Sequence, residues 1–242
     1  MNGWTLADLP SQRGRVAIVT GASPGGLGYE TALALAGAGA HVVLTARNPD
    51  KGEAARRALL ARHPEAEVCV EALDLARLAS VRAFAKRLAT RHAAVDLLIN
   101  NAGVMAPPQR QTTADGMELQ LGSNYLGHFA LTAQVLPLLR AASAPRVVNL
   151  SSLAHRQARI DFDDLQSERS YRPWKAYGQS KLAMLMFSLE LQRRSNTHGW
   201  GVRAIAAHPG IAQTALIANG PDGAGRRSAS GVATGLFTRC VG

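Results

Sequence analysis

Cysteine is scarce in this chain, and aromatic and acidic residues are few. The two cysteines, Cys69 and Cys240, form neither a CxxC pair nor a metal-ligand spacing, which excludes a disulfide framework and fits a reducing compartment. Aromatics make up 5% of the residues, and no dense basic run is interleaved with them, so nothing reads as a nucleic-acid surface. The 17 Asp+Glu against 27 Lys+Arg leave a formal charge of +10, read as a solvated basic surface whose field also attracts a phosphorylated cofactor. No stretch reaches the length of a membrane span, and residues 1–13, with Trp4 and Pro10, have no apolar signal core. The expectation is a cytoplasmic protein without a membrane anchor. Charged residues are only 18%, with apolar runs along the whole length, which argues against extensive disorder.

What the chain does have is a large apolar fraction, 47% of 242 residues, enough for one α/β domain over 1–242. Short β-branched runs at Arg15–Thr20, His41–Ala46, Glu67–Ala72, Val95–Asn100, Arg146–Ser151 and Val202–Ala207 read as six strands. Between them lie segments of helical period near Leu27–Ala38, Asp50–Arg62, Leu78–His92, Ala114–Ala142 and Trp174–Arg194. The alternation predicts an α/β doubly wound parallel sheet, a Rossmann fold, with ligands beyond the carboxyl ends of the strands. Gly21–Gly28, Arg47, Asp74, Asn101–Gly103, Ser152 and Pro209–Gly210 each follow a strand, so they converge on that edge. Asp161–Arg172 reads as a polar insertion before the last helix.

Three groups of residues carry chemistry. In Thr20-Gly21-Ala22-Ser23-Pro24-Gly25-Gly26-Leu27-Gly28 the missing side chains let backbone N–H groups approach a pyrophosphate at the positive end of a helix. At the end of the second strand stands Arg47, followed by Asn48 and Lys51, where an acid would otherwise bind a ribose. A guanidinium there suits a 2′-phosphate and predicts NADP(H) as the preferred cofactor, with NAD(H) second. Tyr177 and Lys181, four apart on a predicted helix, share one face, so the ammonium can favour the phenolate and make the tyrosine a working acid/base. His128, His155 and His208 lack metal spacing and read as packing or capping residues, and no metal site is expected.

In order along residues 14 to 215, the glycine loop, Asp74-Leu75, Asn100-Asn101-Ala102-Gly103, Ser123-Asn124-Tyr125-Leu126-Gly127, Ser151-Ser152, Tyr177 to Lys181 and Pro209-Gly210 resemble the short-chain dehydrogenase/reductase family. Leu126-Gly127-His128-Phe129, Ser152-Leu153-Ala154-His155 and Asp163-Asp164-Leu165 are similar to its retinol-dehydrogenase-like branch, which includes relatives of protochlorophyllide reductase. The resemblance implies a catalytic tetrad of Asn124, Ser152, Tyr177 and Lys181, with Ser152 rather than Ser151 on the reacting oxygen. It implies that Asn124 fixes a water leading from Lys181 to solvent. It also implies cofactor contacts from Gly21, Ser23, Gly26, Leu27, Gly28, Arg47, Asn48, Asp74, Leu75, Asn101, Ala102, Gly103, Tyr177, Lys181, Pro209, Gly210, Ile211 and Thr214. Asp74 would receive the adenine amino group, and Ile211 and Thr214 would hold the carboxamide and phosphates.

Two departures from the family pattern stand out. The glycine loop carries one extra residue, Pro24 or Gly25, and implies a bulged but working cradle. Residues 211–242 read as a shortened substrate-loop region in which the family's seventh strand is missing. The function expected is a reductase or dehydrogenase for an apolar carbonyl compound or its alcohol, as a monomer or homodimer. The alternative is a non-catalytic NADP(H)-binding or regulatory protein with an incomplete substrate pocket.

Overall fold

The computed structural model describes residues 5–210. Six strands, β1 (Val16–Thr20), β2 (His41–Ala46), β3 (Val68–Ala72), β4 (Leu97–Asn100), β5 (Arg146–Leu150) and β6 (Arg203–Ala207), form one sheet in the order β3-β2-β1-β4-β5-β6. Every pairing is parallel. All four residues of β4 and four of five in β1 are buried, so these runs are apolar up to their last residues, Thr20 and Asn100, rather than alternating, as strands covered on both faces must be. Strand order reverses between β1 and β4, which opens the crevice where a doubly wound sheet takes its ligand.

Five helices cover the sheet: α1 (Leu27–Gly37), α2 (Pro49–Arg62), α3 (Leu78–Arg91), α4 (Gly127–Ala141) and α5 (Pro173–His198). Tyr29, Leu33, Ala55 and Leu59 of α1 and α2 pack with Val42 and Leu44 in one apolar cluster. Phe84, Leu131, Leu139, Met184 and Phe187 of α3, α4 and α5 pack with Ile18 and Leu98 in the other. The doubly wound architecture and the six strands are therefore as the sequence predicts, with bounds that move by two residues at most. The expected seventh-strand region lies outside the described residues, among which β3 and β6 are the two outer strands.

Across the α4/α5 face runs a chain of buried polar groups. Asn100 Nδ2 donates to Thr132 Oγ1 (3.1 Å) and to Asn149 Oδ1 (2.8 Å), and Asn149 Nδ2 donates to Ser188 Oγ (2.9 Å). Because water cannot reach these amides, each lost bond would leave a buried polar group unpaired, so the chain fixes how the two helices sit on β4 and β5.

One predicted helix begins later than its composition suggests. From Ala114 the chain turns instead of coiling: Thr113 Oγ1 accepts the Asp115 and Met117 N–H groups, and Gly116 takes a φ of +81°. An Asp-Gly pair favours such a turn over a helical start. Helical backbone begins only past Glu118, whose buried carboxylate accepts the N–H groups of Gln120 and Leu121. Leu121–Leu126 then form a wide turn, with Gly127 N–H bonded to Gly122 O five residues back, before α4 proper.

Candidate active site

The extra residue of the glycine loop is absorbed in a tight turn. Gly26 N–H donates to Ser23 O (3.2 Å), Pro24 stands at the second position and Gly25 at the third with a φ of +76°, the residue pattern of a type II turn. Leu27 still opens α1, and its N-cap, Gly26, has no side-chain acceptor, so the first-turn N–H groups face the loop. Gly28 is pressed against the loop after β4: a Cβ there would stand 2.4 Å from Asn101 Nδ2. Asn101 Nδ2 donates to Thr20 O (2.7 Å) and Gly21 O (3.2 Å), which fastens the end of β1 to the end of β4.

Around the far end of this crevice the remaining predicted residues are less uniform. Arg47 and Lys51 are exposed. Asn48 spends its Oδ1 on the Lys51 N–H (3.1 Å) as the N-cap of α2, a capping use that its place before Pro49 signals. Asp74 accepts the Ala76 N–H through Oδ1 (3.0 Å), and Leu75 is buried. Ser23 is exposed, as are Pro209 and Gly210 at the carboxyl end of β6, while Ile211 and Thr214 lie outside the described residues.

The four tetrad candidates do converge. Lys181 is 5% exposed, its Nζ donates to Leu150 O (2.9 Å), and it lies 5.8 Å from the centroid of the Tyr177 ring. Burial pushes the Lys181 ammonium down to about 8. Burial pushes the Tyr177 phenol up, and the nearby Ser152 hydroxyl draws it back. Ser152 Oγ also accepts the Ala154 N–H (3.3 Å), starting the tight turn Leu153–Gln157. That turn rests on α5 at Gly178, where a Cβ would meet Ala154 O at 3.1 Å. Ser151 is placed differently, since its hydroxyl is buried and donates to the backbone carbonyl of Lys181 (2.9 Å). The two serines thus divide into one beside the phenol and one that anchors the helix.

Asn124 sits in the wide turn before α4 with its amide fully engaged. Oδ1 accepts the Val104 N–H (2.8 Å), while Nδ2 donates to Val104 O (3.0 Å) and Ser180 Oγ (2.9 Å). Sequence reasoning named Asn124 but not Val104 or Ser180, since neither partner carries a motif. Trp174 was also missed as part of the site. It stands one turn before Tyr177 on α5, 55% exposed and edge-on to the tyrosine ring at 5.8 Å. Its spacing of three from Tyr177 was the available signal.

Among the described residues there is no group of three or more His, Cys, Asp or Glu placed to hold a metal ion, and no helix long and apolar enough to cross a membrane.

The family model for short chain dehydrogenases matches residues 15–223. Retinol dehydrogenase 13 of Homo sapiens is 47% identical over 204 residues, covering 84% of this chain and 60% of its own length. Polyprenol dehydrogenase of Danio rerio is 42% identical over 218 residues, covering 88% of this chain and 67% of its own. The chain thus spans 60% of the length of the human relative. Among solved structures, an uncharacterized protein from Mycobacterium paratuberculosis is 47% identical with a TM-score of 0.79, covering 90% of this chain and 76% of that one. A metagenomic short-chain oxidoreductase in complex with NADP is 29% identical with a TM-score of 0.66, covering 83% and 84%. With its fold, its ordered motifs and these matches in agreement, the chain belongs to the short chain dehydrogenase family and, within it, is similar to the retinol dehydrogenases.

Proposed function

We propose that this protein is an NADP(H)-dependent oxidoreductase that interconverts an apolar carbonyl compound and its alcohol. The observation that carries the reading is the placement of Tyr177, Lys181 and Ser152 together beyond β5, beside the loops that follow β1 and β4.

The residues present fit a dinucleotide. Gly103 leaves bare backbone at the reactive group: a Cβ there would stand 3.0 Å from Asn124 Oδ1 and 3.7 Å from Lys181 Nζ. The backbone of Gly21–Gly28 would hold the pyrophosphate, Arg47 and Lys51 a 2′-phosphate, Asp74 and Leu75 the adenine, Asn101–Gly103 and Lys181 the riboses. Bound NADP(H) supplies or accepts the hydride.

The proton steps belong to the chain. In reduction Tyr177 donates its phenolic proton to the carbonyl oxygen, and in oxidation its phenolate takes the proton of the alcohol. Ser152 donates a hydrogen bond to the same oxygen. Lys181 Nζ stands 5.8 Å from the centroid of the Tyr177 ring, where its positive charge would favour the phenolate against the upward push of burial. Asn124 holds the Val104 segment against α5, which keeps that pair in register with the crevice. An apolar substrate is supported by the exposed indole of Trp174 beside the phenol and by the names of the relatives, which act on retinol and polyprenol.

Three measurements test this reading. Tyr177→Phe is expected to lower kcat for NADPH-dependent reduction of an apolar aldehyde by at least about a thousandfold with little change in NADPH affinity. Ser152→Ala is expected to cost about a hundredfold and Ser151→Ala far less. NADPH binding without turnover over a broad carbonyl panel would instead select the non-catalytic reading. Arg47→Leu is expected to weaken NADPH binding at least about tenfold while leaving NADH binding nearly unchanged. Equal losses for both cofactors would contradict a 2′-phosphate contact.

Lys181 gives a pH dependence with a defined sign. Its pKa is near 8 in the folded chain against an ordinary 10.5, so between those values the unfolded chain holds a proton that the folded chain has released. Stability therefore rises through this window, by roughly 3 kcal/mol from this group alone. In cofactor-free protein, the stability advantage of Lys181→Met over wild type should shrink by about that amount from pH 8 to pH 10.5, followed by urea unfolding. A pH-independent difference would mean that Lys181 is not desolvated.

A further inference from the structure

His128 lies on the first turn of α4 with no exposed surface, and its ring touches both halves of the candidate site. Nδ1 is 2.9 Å from the backbone carbonyl of Asn124, and Nε2 is 2.9 Å from Thr20 Oγ1. Thr20 is the last residue of β1 and immediately precedes the glycine loop.

The partners fix the state of the ring. A carbonyl oxygen only accepts, so Nδ1 carries the proton. Thr20 Oγ1 already accepts the N–H groups of Asn101 (2.9 Å) and Ala102 (3.0 Å), which fills its lone pairs and leaves its own proton to give. Two acceptors lie within its reach, Ile99 O at 3.2 Å and His128 Nε2 at 2.9 Å, and the bare imidazole nitrogen is the nearer and has no other donor. The ring is therefore neutral and protonated on Nδ1. Protonation of Nε2 would give Thr20 Oγ1 a third donor, and burial with the charge of Lys181 holds the imidazole down to about 4.

Beyond Asn124 the bonds continue. Asn124 Nδ2 donates to Ser180 Oγ (2.9 Å), and the Ser180 hydroxyl donates to the backbone carbonyl of Tyr177 (2.7 Å). Thr20, His128, Asn124 and Ser180 are all without exposed surface.

We infer that His128 is a positioning residue, the middle of a buried hydrogen-bond chain from Thr20 through Asn124 and Ser180 that holds Tyr177 in register with the glycine loop. The inference rests on the reading of Tyr177 as the reacting acid/base. His128 touches no reacting atom in this scheme. It acts by keeping the phenol, which is fixed to α5, at a set place relative to the crevice where the dinucleotide lies, and displacements well under a hydrogen-bond length are enough to cost rate.

Variants at His128 and Ser180 and one spectrum test it. His128→Leu keeps bulk and removes both bonds, while His128→Gln can offer one acceptor and one donor. With NADPH and an apolar aldehyde, His128→Leu should lower kcat at least about tenfold with NADPH affinity within about threefold of wild type, and His128→Gln should recover most of the loss. Combining His128→Leu with Ser180→Ala should lower kcat no further than the worse single change, because both cut one chain. An unchanged kcat in folded His128→Leu, or losses that multiply, would overturn the inference. Should His128→Leu fail to fold, the comparison of His128→Gln and Ser180→Ala carries the same test.

Nitrogen-15 shifts of the His128 ring are read on wild-type protein whether or not it turns over. A protonated Nδ1 and a bare Nε2, unchanged between about pH 6 and about pH 8, support the chain. The opposite tautomer, or titration in that range, breaks it. Wild-type protein with no turnover on any carbonyl would sink the functional reading alone.

Discussion

The amide of Asn124 has no solvent to fall back on, and the arrangement of the site depends on how it is satisfied. Its three bonds reach the backbone of Val104 on one side and Ser180 on the other, so a single side chain ties the loop after β4 to the helix that carries Tyr177 and Lys181. A buried amide left unpaired costs on the order of 1 to 3 kcal/mol per group, so the segments move apart only at that cost. The wide turn at Leu121–Leu126 brings Asn124 to this junction, just where α4 takes on ordinary helical bonding. Wide turns of this type recur at functional positions in helices because they expose backbone groups that regular helix would bury.

The same interior sets the electrostatics. Lys181 is held in the protein with one backbone carbonyl as its bonding partner, an arrangement that works against folding at neutral pH. Withdrawal from water also raises the Tyr177 phenol, whose ring centroid lies 5.8 Å from the ammonium, so one small volume shifts the two groups in opposite directions. Stability is given up at this point and regained in the apolar clusters on either face of the sheet, where Phe84, Leu98, Leu131 and Met184 are almost wholly covered.

Much of this was legible in the sequence because the signals are local. The β-branched runs are long enough to mark each strand, and glycines after β1 mark the cradle. Tyr177 and Lys181 sit on one helical face by spacing alone. Ser152 is separated from Ser151 only by the resemblance to the family, and the structure gives the physical counterpart: one hydroxyl is spent on the Lys181 carbonyl and the other lies by the phenol. What was illegible is held by contacts between distant residues. Val104, Ser180 and the Thr20–His128 contact have no motif, because their partners lie 20, 56 and 108 residues away. The late start of the helix before α4 was hidden for another reason. Ala114 and Met117 are good helix formers, and the turn built by Thr113, Asp115 and Gly116 overrides them.

The account as a whole requires that a carbonyl carbon and the nicotinamide meet beside Tyr177. Reduction of an apolar aldehyde with NADPH carrying deuterium at the transferable C4 position tests this most directly, by mass analysis of the product. The account predicts one deuterium on the carbinol carbon of the alcohol, with the hydroxyl proton drawn from solvent. Tight binding of NADPH with no deuterium in the product, over a panel of apolar aldehydes and ketones, would contradict it.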